Sequence, residues 1–182
     1  PRRGTVLYLA PTKALAADQL RAVQALEVPG VRAATYDGDT PVAQRDWARS
    51  FATFLLTNPD MLHRSMLPSH HRWVSFLRSL RYVVVDECHG YRGVFGSHVA
   101  AVLRRLRRAC MAYGGDPVFI LASATSAKPA ESASKLTGLP VVAVDVDAAP
   151  RGRTEFVLWE PPARQSRAEP GATVRRSATA ET

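Results

Sequence analysis

Cysteine is scarce. Only Cys88 and Cys110 occur in 182 residues, which excludes a disulfide framework. No apolar run approaches the roughly 18 residues that a membrane span requires, so no membrane partner is expected. The opening Pro1-Arg2-Arg3-Gly4 leads straight into a strand-like run, without the apolar stretch of a secretory leader. A cytoplasmic location is therefore expected. Methionine does not stand first, which fits a chain whose true beginning lies upstream. Internal repeats are absent. What remains is globular in composition, with 46% hydrophobic and 22% charged residues, and wholesale disorder is excluded. This length suits one domain, large enough to bury a core without staples.

Lysine is nearly as rare: three lysines stand beside 21 arginines, and the net charge is +8. A basic surplus points to an anionic partner, nucleic acid first. Arginine and alanine are both abundant, however, and coding bias alone can produce that. Residues 1–150 hold 18 basic and 12 acidic residues, so the surplus lies mostly in the body of the chain.

Apolar runs of four to six residues alternate with helix-like stretches. Strands are expected at 5–9, 31–36, 54–57, 82–85, 118–121, 141–144 and 155–159. Helices are expected over 13–27, 41–49, from Pro59 onward, and over 70–79, 97–113 and 128–137. Asn58 is placed to cap the helix that Pro59 begins. The three valines of 83–85 suit a strand covered on both faces. In 97–113, Val99, Val102, Leu103, Leu106, Cys110 and Tyr113 form one apolar stripe. Short strands alternating with helices imply parallel βαβ crossovers, hence an α/β layered domain with a parallel sheet. Residues 161–182, rich in Ala, Arg, Ser, Thr and Pro, read as a linker or flexible loop.

In such sheets ligands bind beyond the C-terminal ends of the strands. Asp86 and Glu87 follow the Val83–Val85 run and emerge there. In P-loop ATPases a carboxylate at this place helps hold Mg²⁺, and a neighbouring Glu can activate the attacking water. Two solvated acids in a loop would look the same in isolation. Other polar segments follow other strands: Pro11-Thr12-Lys13-Ala14-Leu15 after the first, Thr57-Asn58-Pro59-Asp60 after the third, and Ser123-Ala124-Thr125 after 118–121. Hydroxyls, amides and helix-start N–H groups are natural phosphate ligands. Helix capping is the competing explanation for Thr12 and Asn58, and the two roles are compatible.

In this order and spacing the segments resemble motifs Ia, Ib, II and III of superfamily 2 DExH/DEAD-box helicases. Pro11–Leu15 is similar to motif Ia, Thr57–Asp60 to motif Ib, Asp86-Glu87-Cys88-His89 to a DExH motif II, and Ser123–Thr125 to motif III. Asp37-Gly38-Asp39 falls where the family often has a glycine-containing turn near nucleic acid. Within the family, Asn58–Leu62, Tyr91–His98 and Trp159–Pro162 resemble the MrfA-type DNA repair helicases. Those proteins also have a cysteine-rich metal-binding domain, which this chain lacks.

The resemblance implies an N-terminal RecA-like three-layer lobe over residues 1–160. The cofactors implied are ATP and Mg²⁺. Nucleic acid, with DNA foremost, and a second RecA-like lobe are the partners implied. Residue by residue, it implies that Asp86 helps hold Mg²⁺ through water and that Glu87 is the general base. His89, Ser123, Ala124 and Thr125 would couple nucleotide state to the rest of the motor. Pro11, Thr12, Lys13, Gly38, Thr57 and Asn58 would meet the backbone of one strand, contacts that carry little sequence information.

The phosphate-cradling G-x-x-x-x-G-K-[ST] loop is missing, since no glycine here is followed by lysine. It is expected upstream of residue 5, and this stretch alone is expected not to hydrolyse ATP. The rival reading is a degenerate helicase lobe kept as a binding module for nucleic acid or protein. The retained Asp86, Glu87 and His89 argue against it, because a binding relic needs no hydrolytic base.

Overall fold

The computed structural model describes residues 4–124, 126–146, 149–150, 152–158, 164–165 and 173–174. Two compact units are found, Pro1–Val144 and Asp145–Thr182. In the first, β1 (Thr5–Leu9), β2 (Ala33–Thr35), β3 (Phe54–Thr57), β4 (Leu80–Val85) and β5 (Val118–Leu121) form one sheet in the order β2-β3-β1-β4-β5. Every neighbouring pair is parallel, with Leu7 opposite Leu55 and Val83, and Val85 opposite Leu121. All five strands therefore end at one edge. The helices are α1 (Lys13–Ala25), α2 (Val42–Phe51), α3 (Pro59–Met61), α4 (Val74–Arg78), α5 (Gly93–Ala112) and α6 (Pro129–Thr137). This is the RecA-like three-layer α/β arrangement that the motif order implies.

The main core lies on one sheet face. Leu7, Leu9, Leu55, Val83 and Val85 meet Ala48 of α2, Phe76 and Leu77 of α4, and Leu136 of α6. From α5 come Val99, Val102, Leu103, Leu106 and Cys110, all buried. The predicted α5 stripe is thus observed. Each fully buried Leu or Val contributes about 1.5–3 kcal/mol relative to exposure. On the opposite face, α1 packs Ala16, Leu15 and Leu20 against Leu56, Tyr8 and Phe54. That cover does not extend to the β4–β5 side, where Tyr82, Val118 and Ile120 are 46–58% exposed. The expectation that 83–85 is covered on both faces is corrected accordingly. Val83 and Val85 are fully buried and Val84 only partly, because no described helix lies over that half of the sheet.

Helix ends follow local chemistry. Thr12 caps α1 and Asn58 caps α3 through their side chains. α1 stops at Ala25, two residues before the expected end, with Glu27 in the left-handed region after it (φ 47°), where glycine is usual. Past α3 the chain widens into a π turn over Leu62–Met66, closed by Leu67 N–H on the Leu62 carbonyl at 2.9 Å. The expected helix over 70–79 is a 3-10 turn (His70–Trp73) running into α4. α5 begins at Gly93, four residues earlier than expected. There Gly96 lies so close to the Tyr91 carbonyl that a Cβ would stand 2.5 Å from its oxygen.

Two expected strands are not formed. Residues 141–144 and 155–158 carry no strand, and Val142, Val144, Phe156, Val157 and Leu158 are at least 80% exposed. Their apolar runs carry the local preference, but a strand also needs a neighbour for its N–H and C=O groups, and the described residues supply none. Trp159 and the segment 160–162 lie outside the described residues. The strand at 31–36 is shorter than expected, Ala33–Thr35. Within the expected linker, β6 (Arg164–Gln165) and β7 (Thr173–Val174) pair antiparallel. Among the described residues no helix is long and apolar enough to cross a membrane.

Candidate active site and nucleic-acid interface

Because the strands are parallel, the segments after β1, β3, β4 and β5 share one edge. β4 carries the chemistry. Its ladder with β1 continues one residue past the strand, with Asp86 N–H donating to the Leu9 carbonyl at 3.0 Å. The Asp86 carboxylate is then fixed from two sides. Oδ1 accepts the Glu87 N–H at 2.8 Å, and Oδ2 accepts the Tyr8 hydroxyl. Partial burial, and then that bond, hold the Tyr8 hydroxyl protonated well above the usual tyrosine range. No described cation pairs with Asp86. Its hard oxygens at a strand end suit a magnesium ion, which favours carboxylate and water ligands.

Glu87 adopts left-handed backbone, φ 49° and ψ 39°. A residue that carries a Cβ is strained there, by about 1–2 kcal/mol, and such strain clusters at functional sites. Its carboxylate is 43% exposed and stands 3.1 Å from His89 Nδ1. That contact is of ion-pair length but outside hydrogen-bond geometry, and the buried Nδ1 has no hydrogen-bond partner among the described residues. The turn continues as Cys88–Gly90. Tyr91 follows with a buried hydroxyl that has no hydrogen-bond partner among the described residues. Burial, with the Asp86 charge adding to it, pushes that hydroxyl up to about 12.

The turn after β4 meets the segment after β5 through Cys88. Its N–H donates to the Ala122 carbonyl at 2.9 Å, and its side chain shares a hydrogen bond with Ser123. Burial pushes the Cys88 thiol up, and the Ser123 bond opposes it. Ser123 and Ala124 are exposed at the end of β5. Thr125 lies outside the described residues.

The other segments divide by exposure. Pro11, Thr12 and Lys13 are exposed. The Thr12 hydroxyl accepts Leu15 N–H at 3.2 Å, and the Lys13 ammonium pairs with Asp39, which raises its pKa. The Asn58 side-chain Oδ1 accepts the Met61 N–H at 2.8 Å. Thr57 is only 2% exposed, and its hydroxyl donates inward to the Tyr36 carbonyl. That burial leaves Thr57 no surface to offer a strand directly. Gly38 is exposed, with nothing within 4 Å of where a Cβ would stand.

Three contributors escaped the sequence reading: Tyr8, Asp39 as partner of Lys13, and Arg45, which bonds the 37–40 turn. Tyr8 reads as one more strand residue until β1 and β4 are placed side by side. Asp39 and Arg45 act across 26 and five to eight residues, and no local periodicity marks such pairs.

The DEAD/DEAH box helicase family model matches residues 1–133. The chain is 51% identical over 178 residues to the uncharacterized ATP-dependent helicase YprA of Bacillus subtilis, covering 96% of this chain and 23% of that protein. It is 43% identical over 166 residues to the ATP-dependent helicase HRQ1 of Saccharomyces cerevisiae, covering 87% of this chain and 15% of that protein. A crystal structure of the DUF1998 helicase MrfA bound to DNA and AMPPNP superposes with a TM-score of 0.83 at 49% identity, over 98% of this chain and 24% of that one. The same helicase bound to DNA alone gives 0.85 at 50% identity, over 98% and 24%. These matches bear out both the helicase resemblance and its MrfA-type refinement. The chain spans about a quarter of the length of YprA and MrfA.

Proposed function

Since the chain belongs to the DEAD/DEAH box helicase family, we propose that it forms part of the N-terminal motor lobe of an ATP-dependent DNA helicase or translocase. The lobe runs over residues 1–160, and 161–182 leads toward a second lobe. Asp86 would help hold Mg²⁺, its carboxylate oriented by the Tyr8 hydroxyl and the Glu87 N–H. The ion neutralises phosphate charge when bound. Glu87 takes the proton from the attacking water, and His89 steadies its carboxylate. Ser123 is joined to this turn through Cys88, and with Ala124 and Thr125 it passes the nucleotide state onward. Pro11, Thr12, Lys13, Gly38 and Asn58 meet the backbone of one strand, while Thr57 acts from beneath by fixing the Tyr36 carbonyl. A phosphate-cradling loop, expected upstream of residue 5, would complete nucleotide binding.

The observation that carries this reading is the meeting of Asp86, the strained Glu87 and Ser123 at the one edge where all strands end. DNA as the partner is supported by the DNA-bound structures of MrfA. The test is to exchange the corresponding segment of MrfA for this chain and follow ATP turnover with single-stranded DNA present. Glu87→Gln is expected to lower turnover by about 10²–10⁴-fold, the usual contribution of a positioned base. The 182-residue chain alone is expected to give none. Turnover by the Glu87→Gln exchange at the unsubstituted rate would overturn the assignment.

A further inference from the structure

The turn between β2 and α2 is built more firmly than a surface loop requires. Asp37 Oδ1 accepts the N–H groups of Asp39 and Thr40 at 2.8 and 3.0 Å, and the Thr40 hydroxyl accepts Asp37 N–H at 2.9 Å. Arg45, one turn into α2, reaches back over it. Its Nε donates to the Thr40 carbonyl at 2.8 Å. One terminal nitrogen donates to the Asp37 and Gly38 carbonyls at 3.0 and 2.9 Å. The guanidinium lies 5.8 Å from the centre of the Tyr36 ring, itself buried against Trp73. Three carbonyls on one planar cation is a rigid arrangement that a lysine cannot copy.

The turn also joins two separate segments of the proposed interface. At one end the Tyr36 carbonyl takes the Thr57 hydroxyl. At its tip Asp39 holds Lys13. Gly38 between them needs neither positive φ nor close packing from within the fold. A glycine that the fold does not require leaves a bare backbone facing open space, as close approach of a ligand demands.

We infer that Arg45 is a positioning residue for nucleic acid: it holds the 37–40 turn so that Gly38 and Lys13 present one preformed surface to the sugar–phosphate backbone. This rests on the proposed nucleic-acid interface and adds its internal support. Arg45 directs Nε and one terminal nitrogen onto protein carbonyls, so the role inferred for it is to hold the turn rather than to grip a phosphate.

The test is fluorescence anisotropy of a labelled 20-nucleotide single-stranded oligothymidine with the 182-residue chain, across a salt series. Arg45→Met is expected to weaken binding about tenfold and leave the slope of log affinity against log salt unchanged. Lys13→Ala, which removes a phosphate contact, is expected to lower that slope by about 0.7. Should Arg45→Met fail to fold, Gly38→Ala serves instead. Its methyl meets open space, so the fold persists, while affinity is expected to drop severalfold. Unchanged affinity in Arg45→Met or Gly38→Ala overturns the inference, as does an Arg45→Met slope lowered like that of Lys13→Ala. No binding by the unsubstituted chain overturns the interface itself, and the inference with it.

Discussion

Glu27 and Glu87 both hold left-handed backbone, at φ 47° and 49°, but only Glu87 stands among the proposed chemistry. Replacing each by glycine separates strain from function. Left-handed backbone costs an L-residue about 1–2 kcal/mol. Glycine removes that cost but frees the unfolded chain, returning about 0.4–1 kcal/mol. Glu27→Gly is therefore expected to raise the unfolding free energy by about 0.5–1 kcal/mol. For a chain of this size that is roughly 2–4 °C in Tm per kcal/mol. Glu87→Gly gains the same relief and loses a half-exposed contact with His89 that is worth at most about 1 kcal/mol, so its stability is expected to stay level or rise slightly. Urea unfolding followed by tryptophan fluorescence, with Trp73 buried, reads both. In the MrfA exchange Glu27→Gly keeps turnover and Glu87→Gly abolishes it. Destabilisation of more than about 1 kcal/mol by Glu87→Gly would refute the reasoning, because the side chain would then be holding the fold rather than straining it.

Two further outcomes are expected. Burial, with the Asp116 charge second, pushes the Cys110 thiol up to about 12, so the folded chain keeps a proton that the unfolded chain releases from about pH 9. Stability is then constant below pH 9 and falls by about 1.4 kcal/mol per unit as pH rises toward 12. Urea midpoints between pH 8 and 10.5 should show this fall, and Cys110→Ala should make it shallower below pH 10, leaving the part that comes from Cys88, whose thiol burial also raises; an unaltered slope there refutes the assignment. Gly96→Ala drives a Cβ against the Tyr91 main chain and is expected to cost about 1–3 kcal/mol, read from the urea midpoint; a midpoint equal to that of the unsubstituted chain would show that the close approach is not real.

The parts legible in the sequence are those that neighbours along the chain decide. Short apolar runs marked β1, β3, β4 and β5, and the stripe from Val99 to Cys110 marked α5 with its buried face. Asp86, Glu87 and Ser123 could be placed at one edge because parallel strands leave no other place for the segments that follow them. The runs at 141–144 and 155–158 misled because strand preference is local and strand pairing is not. Exposure could not be read from residue type either: Thr57 looks like a surface hydroxyl, yet β2 and β3 bury it under Tyr36. Tyr8 on Asp86 and Arg45 on its three carbonyls needed the fold first, since each joins residues that only the folded chain brings together.

The half-covered sheet has a practical consequence. Tyr82, Val118 and Ile120 face outward side by side on β4 and β5, and β5 pairs with β4 along one side only among the described residues. An open strand border beside an apolar surface is a template for a second chain. Preparations of these 182 residues alone will be limited by concentration before they are limited by heat. Dilute buffers at or below neutral pH, where the chain keeps its net charge of +8 and copies repel one another, and early light scattering belong at the start of any work with them, because particles formed at that border would imitate both unfolding and ligand binding.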